Sequence, residues 1–309
     1  MSNYLVTGGA GFIGSHIVRD LLAQGNKVRV LDNYSTGKKE NLTGLFGKLE
    51  ILEGDIRNSS DVRRAVQGVD VIFHEAAFIS VPQSLQEPQE CLGINIQGTV
   101  TLLEEARRVG IGRVVLASSA AVYGNSNDLP LTENSISPPL SPYAASKRVK
   151  EIFAELYSQA FNLDVIALRY FNVYGPRQSP DSEYAAAIPI FIRQLLAGKP
   201  ITIFGDGGQS RDLIYVGDVV RANLMAAECS QAAGGIFNIC TGQEIRWLDL
   251  LEVLLDIFPS APPPVFAESR PGDIYRSVGN PERAAQTFGF RALTTLETGI
   301  TQTIEWMKR

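Results

Sequence analysis

The sequence lacks the features of a nucleic-acid-binding, exported or membrane-spanning protein. Its 309 residues carry a formal net charge of −5 without a run of lysine and arginine, so nucleic acid is not an expected partner. Its apolar runs are too short to span a bilayer, and its first residues lack the charged-then-apolar pattern of a signal peptide. We therefore expect no membrane association and a cytoplasmic location.

Cysteine and histidine are also scarce. The three cysteines are scattered without paired spacing, which predicts reduced, buried thiols at Cys91, Cys229 and Cys240. His16 and His74 stand in no cluster, so a metal site is not expected and both are interpreted as structural. The remaining composition, 45% hydrophobic and 20% charged, is ordinary for a soluble globular enzyme with a large core.

The start of the chain has the pattern of a dinucleotide-binding turn. Residues 4–7 form a short apolar strand, residues 8–14 read Gly-Gly-Ala-Gly-Phe-Ile-Gly, and residues 15–24 have the apolar spacing of a helix. Glycines let the backbone approach a pyrophosphate, and the helix N-terminus offers N–H groups and a positive dipole end. A second strand over residues 27–31 leads to Asp32, whose carboxylate can accept from a ribose 2′-OH and would repel a 2′-phosphate. The pattern therefore predicts an NAD site.

A tyrosine and a lysine further along the chain have catalytic spacing. Tyr143 and Lys147 are four residues apart, so both project from one face of a helix. A neighbouring ammonium favours the phenolate, which can take the proton of an alcohol that is being oxidised, and Ser119 could hold that alcohol. Such a pair also arises by chance, and it gains meaning here from the cofactor site. A nucleophilic Ser119 is disfavoured, because the chain has no Gly-x-Ser-x-Gly turn and no evident histidine base.

Apolar runs and helical stretches alternate through the first half of the chain. Besides the elements above, strands are predicted at residues 49–53, 69–73, 113–117 and 165–168, and helices at 60–67, 89–109 and 141–161. This alternation predicts a doubly wound parallel (Rossmann) α/β sheet with ligands at the carboxyl ends of its strands. Ser141 and Pro142 predict an N-cap and a first helical position. Glycine and proline become frequent after residue 172, so we expect a cofactor domain over residues 1–172 and a smaller α/β substrate domain over 173–309, with segments that cross back.

Taken together, the glycine turn, Asp32, Ser119, Tyr143 and Lys147 resemble the extended short-chain dehydrogenase/reductase family, and within it the NAD-dependent nucleotide-sugar epimerases. Further matching stretches run nearly end to end in family order, at residues 32–37, 54–57, 74–77, 141–143, 168–177, 204–207, 210–212 and 270–273. The resemblance implies an enzyme that binds NAD and a UDP-sugar.

The resemblance also implies a role for each site residue. Tyr143 would take the proton of the sugar 4-OH, Ser119 would share that hydrogen bond, and Lys147 would keep Tyr143 acidic. The NAD-binding residues would be Gly8, Gly11, Phe12, Ile13 and Gly14 at the pyrophosphate, Asp32, Asn33, Ser35, Thr36 and Gly37 at the adenosine ribose, Asp55 and Ile56 at the adenine, and Ala76, Ala77, Asn95, Tyr143 and Lys147 toward the nicotinamide. The UDP-sugar would be held by Ser119, Tyr143, Asn172, Arg211, Arg270, Asp273 and Ser277. For the two arginines, surface salt bridging is an equally open interpretation.

The residues after Ser119 discriminate between branches of the family. Related dehydratases carry an Asp-Glu acid pair where this chain has Ala120 and Ala121, and several decarboxylases carry a glutamate there. Because removal of water needs a general acid near the leaving hydroxyl, two alanines argue against a dehydratase. The expected reaction is therefore reversible oxidation at C4, in which the 4-keto sugar rotates to present its opposite face while UDP stays bound. A uronate epimerase, a net reductase and, less favoured, a non-catalytic NAD-binding sensor stay open.

The choice of sugar depends on the wall of the pocket. In related epimerases the residue four positions after the uridine-binding aspartate limits sugar size, and here it is the small Ser277. Residues 184–189 also resemble epimerases that act on N-acetylhexosamines. We expect UDP-GlcNAc and UDP-GalNAc to be accepted alongside UDP-Glc and UDP-Gal, unless Ser277 faces elsewhere.

A homodimer is expected by analogy with the family. Its members commonly pair through two long helices, here residues 89–109 and 143–160. Four apolar side chains of the second helix could form that interface or belong to the core: Val149, Ile152, Phe153 and Leu156.

Overall fold

The chain folds around one large parallel sheet. The computed structural model describes residues 2–45, 48–126, 128–135, 137–180, 186–269 and 274–309. The strands in these ranges are β1 (Asn3–Thr7), β2 (Lys27–Asp32), β3 (Lys48–Glu53), β4 (Val71–His74), β5 (Arg113–Ser119), β6 (Asp164–Tyr170), β7 (Asn172–Tyr174), β8 (Thr202–Phe204), β9 (Ser210–Arg211), β10 (Leu213–Tyr215), β11 (Ile236–Ile239), β12 (Ile245–Arg246), β13 (Val265–Ala267) and β14 (Arg276–Ser277). The helices are α1 (Phe12–Ala23), α2 (Ser59–Ala65), α3 (Val81–Gln86), α4 (Pro88–Leu92), α5 (Thr99–Arg108), α6 (Pro142–Phe161), α7 (Ala187–Leu196), α8 (Val216–Glu228), α9 (Trp247–Ile257), α10 (Glu282–Phe288) and α11 (Leu296–Met307).

The large sheet has the strand order of a doubly wound fold. In the described ranges it contains seven strands, ordered β3-β2-β1-β4-β5-β6-β11, and every neighbouring pair is parallel. The order reverses between β1 and β4, and such a reversal creates the crevice where these sheets bind ligands. The predicted Rossmann-type α/β fold is confirmed. The strand β11 comes from beyond residue 172 and pairs with β6, so the later part of the chain also contributes to this sheet.

Helices cover both faces of the sheet because its strands are apolar on both sides. On one face, Ile17 of α1 and Val219 of α8 are fully buried in the cluster that contains Val6 of β1. On the other face, Leu102 of α5 and Ala154 of α6 are buried in the cluster that contains the other side of the strands. This double burial accounts for the near-continuous apolar runs from which the strands were predicted.

A third apolar cluster lies outside the large sheet. It is formed largely by α7, α9 and α11, with Ile192, Leu250 and Ile300 fully buried in it. The short strands β8 and β13 pair with each other, as do β9, β12 and β14. Every buried member of this cluster follows residue 172, whereas the domain boundary itself stays a prediction.

Local signals set the start of α6. Ser141 is its N-cap, its Oγ accepts a hydrogen bond of 3.1 Å from the Ala144 N–H, and Pro142 stands in the first turn, as predicted. The helix predicted over residues 89–109 is present as α4, a π-helical turn (Gly93–Gly98) and α5. That wider turn directs Asn95 into the core, where its side chain is fully buried.

Two composition-based expectations can be compared with the described residues. None of their helices has the length and apolar character needed to cross a membrane. All three thiols are free, and Cys91 and Cys240 are buried. Cys229 departs from the predicted burial and is only partly covered, because it is the residue that ends α8 near the surface.

A buried ion pair fixes α6 on the sheet. Glu151 of α6 accepts hydrogen bonds of 2.7 and 2.8 Å from the Arg169 guanidinium of β6, and each side chain is 1% exposed. The Ser118 hydroxyl of β5 donates to the same carboxylate at 2.6 Å. Two neighbouring strands therefore hold one residue of the helix, and the helix cannot slide along the sheet without breaking these bonds.

The substitution Glu151→Gln is expected to lower the free energy of unfolding by about 3–5 kcal/mol, because Arg169 would keep its charge in the core without the negative charge of Glu151. Urea denaturation followed by circular dichroism measures this loss. The matched control is Glu282→Gln, since the Glu282–Arg291 pair has side chains 50% and 62% exposed. The control should lose at most about 1 kcal/mol, and equal losses in the two variants would contradict the anchoring role of Glu151.

Candidate active site

The turn between β1 and α1 leaves no room for a side chain at Gly8 or Gly14. Gly8 has a φ of +68°, and a Cβ placed on it would lie 2.7 Å from the Ala76 nitrogen. A Cβ on Gly14 would collide with the Gly8 carbonyl oxygen. Helix α1 begins after Gly11, which has no side chain to cap or cover the N–H groups of the first turn. The turn therefore forms the kind of backbone cradle that binds a pyrophosphate.

Asp32 ends β2 with its carboxylate at the cleft. One oxygen accepts a hydrogen bond of 2.8 Å from the Ala10 N–H, and the other accepts one of 2.8 Å from the Tyr34 N–H. Burial raises the pKa of the Asp32 carboxyl, and the two backbone hydrogen bonds oppose that shift. A carboxylate has about four acceptor positions, so this orientation leaves capacity for ribose hydroxyls.

The loop after Asp32 packs against the loop after β3. Asn33 Nδ2 donates to Asp55 Oδ2 at 3.1 Å, and Arg57 forms an ion pair of 2.8 Å with the same carboxylate. Hydrogen bonding from Arg57 holds the pKa of Asp55 below its usual range. Gly37 lies so close that a Cβ on it would be 3.0 Å from Asp32 Oδ1. These contacts give the adenosine end of the cleft a defined shape.

The end of β4 forms the opposite wall of the cleft. Ala76 and Ala77 line it, and the Ala76 N–H donates to Thr7 Oγ1 at 3.3 Å. Asn95 is fully buried behind this wall: its amide accepts from the Phe78 N–H at 2.8 Å and donates to Ser146 Oγ at 2.9 Å. Asn95 therefore links the wall to α6, and its predicted contact with the cofactor stays a prediction.

Tyr143 and Lys147 project from one face of α6, as their spacing predicted, but Lys147 is not among the cleft-lining residues. Tyr143 lines the cleft, and the Lys147 Nζ lies 5.6 Å from the centroid of its ring. Lys147 is 3% exposed and donates to the Ala117 carbonyl oxygen at 3.0 Å. Ser119 ends the same strand two residues later, half-buried, and its Oγ accepts from the Ala121 N–H at 3.2 Å. Helix α6 and strand β5 thus present the three predicted catalytic residues from adjoining elements.

One cleft of about 710 Å³ collects most of the predicted residues. Those that line it are Gly8, Gly11, Phe12, Ile13, Gly14, Asp32, Asn33, Ser35, Thr36, Gly37, Asp55, Ile56, Ala76, Ala77, Tyr143 and Asn172. The volume lies within the range typical of ligand sites. A glycine cradle, a carboxylate at the end of β2 and a tyrosine at the far wall fit NAD along the carboxyl edge of the sheet.

Fewer of the residues predicted to bind the UDP-sugar line this cleft. Asn172 is exposed and lines the cleft at the start of β7. The Arg211 guanidinium lies 5.7 Å from the centroid of the Trp247 ring, and Ser277, 8% exposed, pairs in register with Arg211. Neither Arg211 nor Ser277 is among the cleft-lining residues. The remaining two, Arg270 and Asp273, lie outside the described residues, so all of these substrate roles stay predictions.

Besides Lys38, the cleft contains two charged residues that were not predicted, Glu75 and Arg177. Glu75 lines it beside Ala76 and accepts a hydrogen bond of 2.8 Å from the Tyr170 hydroxyl. Arg177 lines it with a φ of +67°, and burial together with the nearby charge of Arg19 lowers its pKa to about 10. Both fall in stretches that resemble the family, but their place at the cleft follows only from the fold.

Comparisons with known proteins show the family to which the chain is similar. The sequence model of the NAD dependent epimerase/dehydratase family matches residues 4–240. The chain is 40% identical over 306 residues to a putative UDP-glucose 4-epimerase of Methanocaldococcus jannaschii, with 98% of both chains covered.

Two solved structures are similar over nearly the whole chain. One is the UDP-N-acetylglucosamine 4-epimerase of Methanobrevibacter ruminantium in complex with UDP-N-acetylmuramic acid, with a TM-score of 0.95, 38% identity and 99% of this chain and 98% of that chain covered. The other is the UDP-glucose 4-epimerase of Thermotoga maritima with UDP-glucose, with a TM-score of 0.94, 37% identity and the same coverage. The chain therefore belongs to the NAD-dependent epimerase/dehydratase family of enzymes, with NAD as its cofactor.

Proposed function

We propose that this protein is an NAD-dependent 4-epimerase of UDP-hexoses. The observation that carries the proposal is the position of Tyr143, which lines the same cleft as the glycine turn and Asp32, with Lys147 beside its ring. Relatives named as 4-epimerases of UDP-glucose and UDP-N-acetylglucosamine, similar over nearly the full chain, support the same reaction.

Each catalytic residue has a separate task in this reaction. NAD, when bound, supplies the hydride acceptor and donor for C4 of the sugar. Tyr143, as the phenolate, takes the proton of the C4 hydroxyl and later returns it, while Ser119 hydrogen-bonds the same hydroxyl. Lys147 uses one of the three donors of its ammonium on Ala117, which fixes its charge beside Tyr143. A fixed positive charge favours the phenolate.

Epimerisation is favoured over dehydration by the turn after β5. Ala120 and Ala121 occupy that turn and carry no acidic group. Glu75 is a carboxyl in the cleft, but it follows β4 and is bonded to Tyr170 of β6. Without a general acid at the turn, the oxidised sugar keeps its hydroxyl groups and is reduced again at C4. A 4-keto sugar that has rotated to present its other face before reduction leaves as the C4 epimer.

The sugar pocket is proposed to accept N-acetylhexosamines as well as hexoses. Ser277 is small and 8% exposed, so it faces protein rather than solvent. It pairs with Arg211, the arginine proposed to hold the diphosphate, which supports a place near the sugar nucleotide. A wall with one small residue admits an acetamido group without requiring it.

A cytoplasmic location is part of the proposal. Cys91 and Cys240 are buried free thiols, and none of the three cysteines is bonded to another. Free thiols are the ordinary state in a reducing compartment.

Purified protein with no added NAD should convert UDP-GlcNAc to UDP-GalNAc and UDP-Glc to UDP-Gal, as measured by HPLC. Ser277→Tyr should lower kcat/KM for the acetylated substrate by about 10–200-fold, because the ring would occupy the acetamido space, with little effect on UDP-Glc.

The control for this substitution is Ser230→Tyr, at an exposed position in the turn after α8, which should change neither rate. Conversion of UDP-Glc without UDP-GlcNAc by the unmodified enzyme would refute the substrate range. Conversion of neither sugar would refute the proposed function.

We further propose a homodimer through α5 and α6. Of the four apolar residues considered on α6, Ile152 and Leu156 are 53% and 44% exposed and lie one turn apart, whereas Phe153 packs toward the core. Two large apolar side chains in one exposed stripe suit a helix–helix interface.

Light scattering should give the mass of a dimer for the unmodified protein and of a monomer for the double variant Ile152→Glu/Leu156→Glu, because a dimer would bury unpaired charges. Leu293→Glu, at a side chain 73% exposed, is the control and should stay dimeric. A monomeric unmodified protein, or a dimeric double variant, would contradict this interface.

A further inference from the structure

Arg177 is a charged residue of the cleft that the proposed mechanism does not use. It lines the same cavity as the glycine turn, and its side chain is half-buried. Within the described part of the chain it forms no ion pair, and its side chain makes one hydrogen bond, to a neutral hydroxyl. Withdrawing a guanidinium from water is costly unless an anion compensates its charge. Arg177 is therefore a candidate for binding an anionic ligand.

The backbone holds Arg177 in a fixed direction. Its φ of +67° lies in the left-handed region, which few residues other than glycine, asparagine and aspartate adopt. Two hydrogen bonds join this segment to α1: His16 Nε2 donates to the Pro176 carbonyl oxygen at 2.9 Å, and Arg177 Nη1 donates to Ser15 Oγ at 3.2 Å. A backbone kept in an unfavourable conformation by such contacts is typical of a functional position.

The groups around Arg177 leave a positive charge beside the cleft. Those whose charges act on it are Arg19 and Asp20 of α1 and Tyr215 at the end of β10. Burial, followed by the charge of Arg19, lowers the pKa of Arg177 to about 10, so this side chain is charged at neutral pH. Burial also lowers the pKa of His16 to about 4, so this histidine is neutral. The carboxylate of Asp20 forms no ion pair with Arg177 in the described ranges and cannot balance two guanidinium groups.

The contact with Ser15 places Arg177 next to the glycine turn. Ser15 directly follows Gly14 and lies in the first turn of α1, which begins after Gly11. The backbone N–H groups of this turn fit a pyrophosphate. A guanidinium is the side chain best suited to pair with phosphate oxygens, because its planar donors can bind two of them at once. The anion that suits both the turn and Arg177 is the diphosphate of the cofactor.

We propose that Arg177 binds the diphosphate of NAD together with the glycine turn and so slows the release of the cofactor. The turn offers N–H dipoles, and Arg177 adds a full positive charge. An enzyme that oxidises and then reduces its substrate regenerates NAD in every cycle, so it gains from keeping the cofactor bound. The inference concerns the retention of NAD and does not depend on which sugar is converted.

The test follows the exchange of bound NAD on the holoenzyme. Purified enzyme is mixed with an excess of isotopically labelled NAD, and mass spectrometry of the protein-bound fraction gives the rate at which the original cofactor leaves. Arg177→Asn removes the charge, while asparagine tolerates the left-handed backbone. It should raise the dissociation rate by about 10–100-fold, because a hydrogen-bonded charge pair is lost. Arg177→Lys keeps a point charge without the planar fork and should give an intermediate rate.

Three further measurements separate this role from the alternatives. Arg291→Met removes a positive charge from a side chain that is 62% exposed and should leave the exchange rate unchanged. Added salt should reduce the difference in rate between Arg177→Asn and the unmodified enzyme, because salt screens a partly exposed charge. A merely structural role would lower the melting temperature and leave a difference in rate that salt does not alter. Binding of UDP to the holoenzyme, measured by calorimetry, should be unchanged in Arg177→Asn, since the diphosphate of the substrate is the alternative ligand.

Faster, salt-sensitive exchange of NAD with unchanged binding of UDP would support the inference. An unchanged exchange rate, a difference in rate that salt does not alter, or a loss of UDP binding in place of faster exchange would overturn it. If Arg177→Asn does not fold, Arg177→Gly adopts the same φ without strain and carries the same test. Because the exchange needs no sugar substrate, faster exchange without conversion of any UDP-hexose would refute the proposed function alone.

Discussion

The catalytic geometry depends on how α6 is held against β5 and β6. Glu151 is bound by Arg169 and Ser118 in the core, and Lys147, one turn earlier, is bound to the Ala117 carbonyl oxygen. Two successive turns of the helix are therefore fixed to successive residues of one strand. Tyr143 occupies the next turn toward the cleft, where its own N–H donates to Ser84 Oγ at 3.2 Å, so its position follows from these anchors of the helix.

The same edge of the sheet supplies the cofactor site, because all its strands run in one direction. Gly8 lets the backbone of the first turn come against the Ala76 wall, and Gly14 lets α1 start against Gly8. Asp32 is oriented by the backbone N–H groups of Ala10 in the same turn and of Tyr34 in its own loop. A side chain at either glycine would collide with backbone atoms and force this turn to change shape. The cofactor site after β1 and the proton-transfer residues near β5 are thus close together, because only β4 lies between these two strands.

The features that sequence predicted well are those whose causes are local. The glycine turn, Asp32 at the end of β2, the N-cap at Ser141 and the spacing of Tyr143 and Lys147 all depend on residues close together in the chain. Neither Glu75 at the cleft nor the buried Lys150 was predicted, because the surroundings of each come from elements that are distant in the chain. No local pattern marks a buried lysine on an otherwise ordinary helix.

The sequence also did not reveal the contacts behind the wall of the cleft. Asn95 reaches Phe78 and Ser146 through a π-helical turn that periodicity does not signal, and its buried amide orders the wall of the cleft. The adjoining substrate region is shaped by pairing of β9 with β14, which brings Ser277 beside Arg211 from 66 residues away. The most direct measurement of the central claim is the turnover of UDP-Glc by Tyr143→Phe. The account predicts a loss of about 10²–10⁴-fold with NAD still bound, while Tyr157→Phe, on the same helix but bonded to Glu104, stays near the unmodified rate. A Tyr143→Phe enzyme that turns over at the unmodified rate would contradict it.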